Sequence, residues 1–484
     1  MTATERRSAL VQDARRAIAR VSRPLENWVP EGGADHDVVV IGGGQSGLSI
    51  GFALKRAGIN RFAIFDQAPE GWTNWNSTAR MNTLRTPKTI TGLEQGIPEL
   101  TFEAFYDGLH GEGSFAKLGK IPTRDWSTYV DWFREVVEVP VTWATRLVDV
   151  ASSDGFLSLT FSNARSTFGV TTRKLVLATG MGGLGRAVVP ETIASLPRSL
   201  WSHTHDDINF AALAGKRIGV LGAASSAFDN AATALEQGAA SADLFCRHPQ
   251  LAIQRVDSKL TLITELHVTR HFIDLPEELR WRLIARGRVR GVVPEESITR
   301  AEAQAGFRLH LGHGWDRVTT DGNVVHVQTG GGTFTFDHLI AATGYDVDIH
   351  ARPELARLAP HAALWRDRYV PPSGEEDAGK AAYPYLGPHF EFLERIPGAA
   401  PWLGQVHLFG YAAILNHGFH VGDISSMGSC VPRLVDGIAR EFFLADTGHH
   451  LSSFVDRRET VPIDLPTDEP SSATSIAPKE RRHA

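Results

Sequence analysis

Two glycine-rich segments, about 180 residues apart, contain the residue types and spacing best suited to chemistry. The first reads DVVVIGGGQSG, in which an apolar run over residues 37–41 precedes glycines in G-x-G-x-x-G spacing. The first glycine of such a turn permits a tight bend, the second lets the backbone approach a pyrophosphate, and the third lets the helix pack on the strand. The N-terminus of the following helix then faces the anion. The residues predicted to contact a dinucleotide here are Gly42, Gly44, Gln45, Ser46 and Gly47.

An acidic residue ends the next apolar run, RFAIFD, and strengthens this interpretation. Asp66 follows Gly47 by about 20 residues, the spacing at which an acid binds the ribose of an adenine dinucleotide. The alternative is a carboxylate that only caps the turn at the end of a strand. An acid at this position favours FAD as the occupant of the first turn.

The second segment, RIGVLGAASSA, has the same design with smaller deviations. Gly222 and Ala224 occupy the first two positions, and the alanine hinders the approach of a phosphate slightly. Ser225 and Ser226 follow at the predicted start of a helix. The residue about 20 positions further on is not an acid but Arg247, which suits a 2′-phosphate and favours NADPH over NADH. The alternative is an exposed arginine that only contacts solvent.

Two dinucleotide turns in one chain indicate a hydride transfer from a nicotinamide to a flavin. We predict an α/β fold of two Rossmann-like dinucleotide-binding domains, with the NADPH domain inserted in the FAD domain. The predicted parts are an N-terminal extension outside the core (1–35), the first part of the FAD domain (36–200), the NAD(P)H domain (201–337), the completion of the FAD domain (338–458) and a disordered tail (459–484).

Composition excludes several other classes of protein. The two cysteines, Cys246 and Cys430, are too far apart in sequence for a CxxC or CxxxxC redox pair, which excludes the dithiol flavoprotein reductases. The net charge of −6 comes without a basic patch for nucleic acid. We also expect no membrane span and no targeting signal, and therefore a cytoplasmic protein. No metal is predicted, because no Cys or carboxylate completes a zinc set beside His310 and His313.

Two apolar strands end in Ala-Thr-Gly, KLVLATG at 174–180 and HLIAATGYD at 338–346. A glycine at a strand tip lets the chain pass close to a ligand, so we add Gly180, Thr343 and Gly344 to the predicted cofactor contacts. The second strand also fits the pattern D-x3-(L/F)-ATGY-x4-(H/P), from Asp337 to His350, with only Ala341 departing from it. Two further segments that could cover a bound cofactor are RMNTL (80–84) and LNHGFHVGDISS (415–426), the second of which contains a His-Gly pair before the predicted last helix.

These segments resemble the class B flavin-dependent monooxygenases, and most of all the microbial N-hydroxylating enzymes that act on ornithine and lysine. The resemblance spans roughly residues 36–440. It implies that NADPH reduces FAD, that the reduced flavin and O2 form a C4a-hydroperoxide, and that a small nitrogen-containing substrate is hydroxylated. The chemistry then belongs to the flavin, and the protein positions the rings and excludes water.

Several residues are candidates for places near the flavin. The weak catalytic candidates are Arg85, Lys88, Asn416 and His417. A helix that begins near Asp423 would stabilise an anionic reduced flavin through its N-terminus. Trp75 is an aromatic candidate for packing on the ring.

Two other functions use the same turns. One is an FAD-dependent NAD(P)H dehydrogenase or oxidase that passes electrons to another acceptor, and the other is a non-catalytic flavoprotein that senses NADP(H). The substrate stays open between an amine, an amino acid and a heterocycle such as urate. Expected partners are this small molecule and O2, with a homo-oligomer possible and no membrane or nucleic acid involved.

Overall fold

The computed structural model describes residues 3–21, 26–254, 266–287, 292–419 and 421–456. The predicted tail from residue 459 onward lies outside these ranges. The strands of the described residues are β1 (His36–Ile41), β2 (Phe62–Phe65), β3 (Arg146–Ser153), β4 (Phe156–Ser162), β5 (Thr167–Leu177), β6 (Gly185–Ala187), β7 (Trp201–His203), β8 (Arg217–Leu221), β9 (Ser241–Cys246), β10 (Ala252–Gln254), β11 (Val292–Pro294), β12 (Phe307–Leu311), β13 (Arg317–Thr320), β14 (Val325–Thr329), β15 (Gly332–Phe336), β16 (His338–Ala341), β17 (Tyr345–Val347) and β18 (Val406–Leu408).

The α-helices alternate with many of these strands, as expected for an α/β fold. They are α1 (Ala3–Val21), α2 (Gln45–Arg56), α3 (Phe102–His110), α4 (Ser114–Lys117), α5 (Thr123–Val137), α6 (Glu191–Ala194), α7 (Ser225–Glu236), α8 (Leu266–His271), α9 (Glu277–Gly287), α10 (Glu295–Glu302), α11 (Trp365–Arg368), α12 (Ala378–Ala381), α13 (Ile414–His417), α14 (Ile424–Ala445) and α15 (Thr447–Asp456). None of the helices in the described ranges combines the length and apolarity needed to cross a membrane.

The first sheet has the strand order β2-β1-β5-β4-β3, and β18 also pairs with β5. Strands β1, β2, β5 and β18 run parallel, whereas β3 and β4 form an antiparallel extension. The Val38–Val40 stretch of β1 is fully buried, which matches the continuous apolar run of a central parallel strand. The ends of these strands set the position of the first glycine turn.

The second sheet is entirely parallel, in the order β12-β9-β8-β16-β7, and the antiparallel strands β13–β15 form a separate small sheet. Strand β16 corrects the predicted boundary after residue 337. Residues 338–341 pair with β8 and β7 rather than return to the first sheet. The reason is that each Ala-Thr-Gly strand completes the sheet of its own glycine turn, as β5 does beside β1.

Two segments pack differently from their predicted places. Helix α1, which was expected to lie outside the core, buries Val11, Ala14 and Ala17 in the hydrophobic core around the first sheet. Helices α8 and α9 fall in sequence within the predicted NAD(P)H domain. Phe272, which directly follows α8, and Trp281 of α9 nevertheless belong to the hydrophobic core around the first sheet. The apolar face of a helix indicates which of its side chains are buried, but it does not indicate which sheet the helix packs against.

Candidate functional site

The first glycine turn closes between β1 and the end of β5. Gly42 has a φ of 115°, and a Cβ placed on it would lie 2.3 Å from the carbonyl oxygen of Ala178. A Cβ on Gly47 would lie 1.8 Å from the Gly42 carbonyl oxygen, whereas one on Gly44 would meet no heavy atom within 4 Å. Positions 42 and 47 therefore need glycine for the protein's own packing. Gly44 instead borders open space at the N-terminus of α2, as a pyrophosphate site requires.

Asp66 lies beside this turn at the end of β2. Its Oδ2 accepts a 2.6 Å hydrogen bond from the Gly43 amide, and its Oδ1 accepts one of 2.8 Å from the Ala68 amide. A carboxylate has about four acceptor sites, so capacity for ribose hydroxyls is left over. The acid thus caps the turn, and its contact with a ribose stays a prediction.

The second turn repeats the geometry of the first. The Ala342 amide donates to the Leu221 carbonyl at 2.8 Å, as the Ala178 amide does to the Ile41 carbonyl at 2.8 Å. Gly222 has a φ of 147°, and a Cβ on it would lie 2.3 Å from the Ala342 carbonyl oxygen. Both Ala-Thr-Gly strands therefore lie against the glycine turn of their own module.

The middle position of the second turn accommodates its alanine. Ala224 has extended backbone angles (φ −93°, ψ 175°), close to those of Gly44 (φ −75°, ψ −172°). Ala224 and Ser226 are exposed at the N-terminus of α7, and the Ser225 hydroxyl donates to the Val292 carbonyl at 3.4 Å. The helix start is thus open to an anion even without the second glycine.

Arg247 lies at the edge of the second sheet that carries this turn. It follows β9 directly, and β9 pairs with β8 through Leu221 and Phe245. The Arg247 side chain is exposed on this edge. Its contact with an adenosine 2′-phosphate stays a prediction.

Several chain segments meet beside the first turn. Gln45 Nε2 and Ser46 Oγ both lie within hydrogen-bonding distance of the Gly422 carbonyl, at 3.1 and 3.5 Å. A Cβ on Gly422 would lie 3.4 Å from the Cα of Gly410, and one on Gly410 would lie 3.3 Å from the Gly180 carbonyl. The ends of β5 and β18 and the turn before α14 therefore surround the start of α2.

The predicted positions Asp423 and Trp75 belong to this region. Asp423 is the N-cap residue of α14, so a second helix begins next to the first turn. Trp126 Nε1 donates to Gln45 Oε1 at 3.2 Å, and Trp75 packs edge-on against Trp126 with ring centroids 6.3 Å apart. Trp75 is thus connected to the first turn through the ring of Trp126.

Thr343 and Gly344 link the second module to the strand pair β6–β17. The Thr343 hydroxyl donates to the Val188 carbonyl, and the Val188 amide donates to the Gly344 carbonyl at 3.0 Å. A Cβ on Gly344 would meet no heavy atom within 4 Å. Gly344 therefore leaves space for a ligand, whereas the Thr343 hydroxyl has its partner within the protein.

The proposed polar groups near the flavin have other partners in this structure. Lys88 Nζ donates to the carbonyls of Phe115 and Leu118 at 2.7 and 2.6 Å, so it stabilises the end of α4. Arg85 Nη2 contacts Asp229 Oδ2 at 2.5 Å, on helix α7. The two cationic side chains named as candidates thus bind backbone and carboxylate oxygens of the protein itself.

Asn416 and His417 are both buried and support the loop at 384–390. Asn416 accepts from the Leu386 amide at 3.1 Å and donates to the Pro384 carbonyl at 2.8 Å. The His417 ring stacks on Phe390 with centroids 3.7 Å apart, and burial holds its pKa well below the usual range. These side chains hold the loop in place, so their polar atoms have partners within the protein itself.

Sequence reasoning missed the glycines at 410 and 422 and the role of Trp126. The only local signal was Gly422, which lies shortly before the predicted last helix.

The two cysteines are free and buried on separate elements, and burial raises the pKa of Cys430 to about 11. Neither thiol is placed to form a redox pair.

Comparisons with known proteins agree with this geometry. A family model described as pyridine nucleotide-disulphide oxidoreductase matches residues 39–268. The FAD-dependent urate hydroxylase of Xanthomonas campestris pv. campestris is 39% identical over 438 residues, which cover 89% of this chain and 91% of the relative.

Solved structures share the fold at much lower identity. An ornithine N-hydroxylase of Kutzneria sp. 744, solved with reduced FAD, NADP+ and L-ornithine, matches with a TM-score of 0.66 and 15% identity over 84% of this chain and 99% of its own. An ornithine hydroxylase of Pseudomonas aeruginosa matches with a TM-score of 0.67 and 16% identity over the same shares of 84% and 99%. The predicted α/β fold with two Rossmann-type sheets is thereby confirmed, and the two ornithine hydroxylases share it.

The urate hydroxylase decides the family, because its identity of 39% extends over nearly the whole of both chains. The chain belongs to the same family of flavin-dependent monooxygenases as this relative, and the predicted enzyme class is confirmed.

Proposed function

We propose that this protein is an FAD- and NADPH-dependent monooxygenase that hydroxylates urate. The observation that carries the proposal is the 39% identity to a urate hydroxylase over 89% of the chain. The ornithine hydroxylases share the fold at 15–16% identity, which carries no information about the substrate. A purine is therefore favoured over an amine within the predicted class of small nitrogen-containing substrates.

The first turn supplies the groups that FAD needs. The amides at the start of α2 and the open space at Gly44 suit the pyrophosphate, and Asp66 suits the ribose. The start of α14 lies beside the same turn, so two helix N-termini favour negative charge there. With FAD bound, the same positive potential would favour the negative charge of a reduced flavin.

The second turn supplies the groups that NADPH needs. The start of α7 with Ala224 and Ser226 suits its pyrophosphate, and the exposed Arg247 suits its 2′-phosphate. When bound, the two cofactors supply the redox chemistry, in which NADPH, a proton, O2 and urate yield NADP+, water and hydroxylated urate. The protein binds and orients the cofactors and shields the reaction from water.

The test measures NADPH oxidation by the purified, FAD-loaded protein in the presence of urate, L-ornithine or L-lysine. Urate should accelerate NADPH oxidation, with one urate lost per NADPH and one atom from labelled O2 in the product. Acceleration by ornithine or lysine alone would identify an N-hydroxylase instead. Oxygen released only as hydrogen peroxide with every substrate would identify an NADPH oxidase.

A further inference from the structure

Residues 80–85 join the two cofactor turns through a continuous set of hydrogen bonds. This segment, called the linking segment below, pairs with the start of α5. The Thr123 amide donates to the Asn82 carbonyl at 3.0 Å, and the Leu84 amide donates to the Ile121 carbonyl at 2.8 Å. One turn further along α5, Trp126 donates to Gln45 of the first turn at 3.2 Å. The linking segment is therefore fixed to the FAD side of the molecule.

The other side of the linking segment is fixed to the helix of the second turn. Arg85 Nη2 lies 2.5 Å from Oδ2 of Asp229, whose side chain is only 5% exposed. Asp229 lies one turn after Ser225, the first residue of α7. The Ser297 hydroxyl donates to the other carboxylate oxygen at 2.9 Å. Arg85 thus connects the linking segment to the first turns of α7.

A second arginine holds the opposite end of the linking segment. Arg300 of α10 donates to the Arg80 carbonyl at 2.5 Å and to Glu236 of α7 at 2.6 Å. It also donates to Thr233 Oγ1 at 3.1 Å. The linking segment is therefore held at both ends against α7 and α10.

The contact between Arg85 and Asp229 differs from an ion pair on the surface, because the carboxylate of Asp229 is buried. Burial raises the pKa of Asp229, and the nearby Arg85 guanidinium is the first of the groups that oppose this rise. Without Arg85 this buried carboxylate would keep only the Ser297 hydroxyl and the more distant Arg300 guanidinium, at 3.8 Å, as partners. Removal of the nearer cation from a buried pair is unfavourable, so α7 would shift to recover solvent or another donor. Such a shift would move the start of α7, where Ser225 lies.

We propose that Arg85 is a positioning residue for hydride transfer and acts through Asp229. It sets the helix that holds NADPH at the distance and angle that transfer to FAD requires. The inference rests on the proposed function, since it assumes that the two turns hold these cofactors. In the transfer, two electrons and one proton leave NADPH together as hydride and add to FAD, which leaves NADP+. A displacement of about 1 Å can slow such a step roughly 100-fold without abolishing binding.

Rapid mixing of the FAD-loaded enzyme with NADPH without oxygen measures this step directly. Arg85→Ala and Asp229→Asn should each lower the limiting rate of flavin reduction roughly 10- to 100-fold, while FAD stays bound and the half-saturating NADPH concentration changes far less. The double variant should be no slower than either single variant, because both remove one interaction. Arg85→Lys should restore most of the rate.

Arg217→Ala is the matched control. Arg217 also pairs with an aspartate, Asp337, at 2.7 Å, but at the end of β8 opposite to Gly222. Hydrogen–deuterium exchange gives a readout without NADPH. In Arg85→Ala, the amides of residues 80–85 and of the start of α7 should exchange faster together, and in Arg217→Ala both should match the wild type.

Two results would overturn the positioning role while leaving the proposed function intact. One is an Arg85→Ala variant that reduces flavin at the wild-type rate with unchanged exchange. The other is an equal loss of rate in Arg217→Ala. A wild-type enzyme whose bound FAD is not reduced by NADPH would instead refute the proposed function itself.

Discussion

Gln45 and Gly422 are joined by a 3.1 Å hydrogen bond from the glutamine Nε2 to the glycine carbonyl, which brings the starts of α2 and α14 together. The residues lie 377 positions apart in sequence, so the contact joins the N-terminal and C-terminal parts of the first module. Two helix N-termini at one place create a positive potential. The FAD site therefore depends on the completed fold as well as on the local glycine turn.

The glycines of the first turn should differ in what their substitution damages. Gly44→Val adds side-chain atoms in open space, where they would displace a pyrophosphate and leave the fold intact. Gly47→Ala places a Cβ 1.8 Å from the Gly42 carbonyl and should lower the yield of folded protein. Flavin content and thermal unfolding of the two variants measure this difference. A Gly44→Val protein that retains its full complement of FAD would show that the pyrophosphate lies elsewhere.

Arg247 should determine the preference for NADPH. A hydrogen-bonded contact with a charged phosphate contributes about 1.5–3 kcal/mol. Arg247→Ala should therefore lower kcat/KM for NADPH by roughly tenfold or more. The value for NADH should hardly change, because NADH lacks the 2′-phosphate. Steady-state kinetics with both cofactors provide the measurement, and equal losses for the two would assign Arg247 a structural role.

Lys88 should contribute to stability rather than to chemistry. Its ammonium group donates to the carbonyls of Phe115, Ala116 and Leu118, and replacing it leaves these oxygens without that donor. Lys88→Met should lower the free energy of unfolding by about 1–3 kcal/mol and leave kcat close to the wild-type value. Urea unfolding and steady-state kinetics of one preparation test both statements. A loss of kcat in a protein of unchanged stability would return Lys88 to the active site.

The two glycine turns could be predicted because their constraints are local. Gly42 and Gly222 need their positive φ, and each follows an apolar strand within the same short segment. The places of Asp66 and Arg247 at strand ends beside these turns could be predicted from their distance in sequence, and their contacts with cofactors stay predictions. Such features depend on a βαβ unit of about 30 residues, which sequence periodicity reveals.

The contacts between distant segments could not be predicted in this way. Arg85 pairs with Asp229 across 144 positions, and nothing in either neighbourhood indicates the other. The same tripeptide, Ala-Thr-Gly, follows both β16 and β5, so the sequence pattern did not indicate which sheet β16 joins. Asn416 was expected near the flavin because it precedes a helix, but the loop that it binds comes from residues 384–386.

Two buried histidines should make the protein less stable in mild acid. Burial lowers the pKa of His407 to about 3 and that of His338 to about 4, from 6.5. Because the folded-state pKa values are depressed, the unfolded chain takes up protons that the folded protein refuses. The stabilisation is complete above pH 6.5 and is lost as the pH falls toward the folded values. Between pH 7 and pH 5 each histidine should remove about 2 kcal/mol from the free energy of unfolding.

His407→Asn isolates one of these contributions. The asparagine amide can replace the His407 Nδ1 contact with the His389 carbonyl, which is 2.9 Å long, and it does not titrate. The difference in the free energy of unfolding between pH 7 and pH 5, measured by urea titration, should therefore be about 2 kcal/mol smaller than in the wild type. His361→Gln serves as the comparison variant, because it replaces a histidine whose side chain is exposed. An identical pH dependence in His407→Asn and the wild type would mean that His407 does not stay neutral in the folded protein at pH 5.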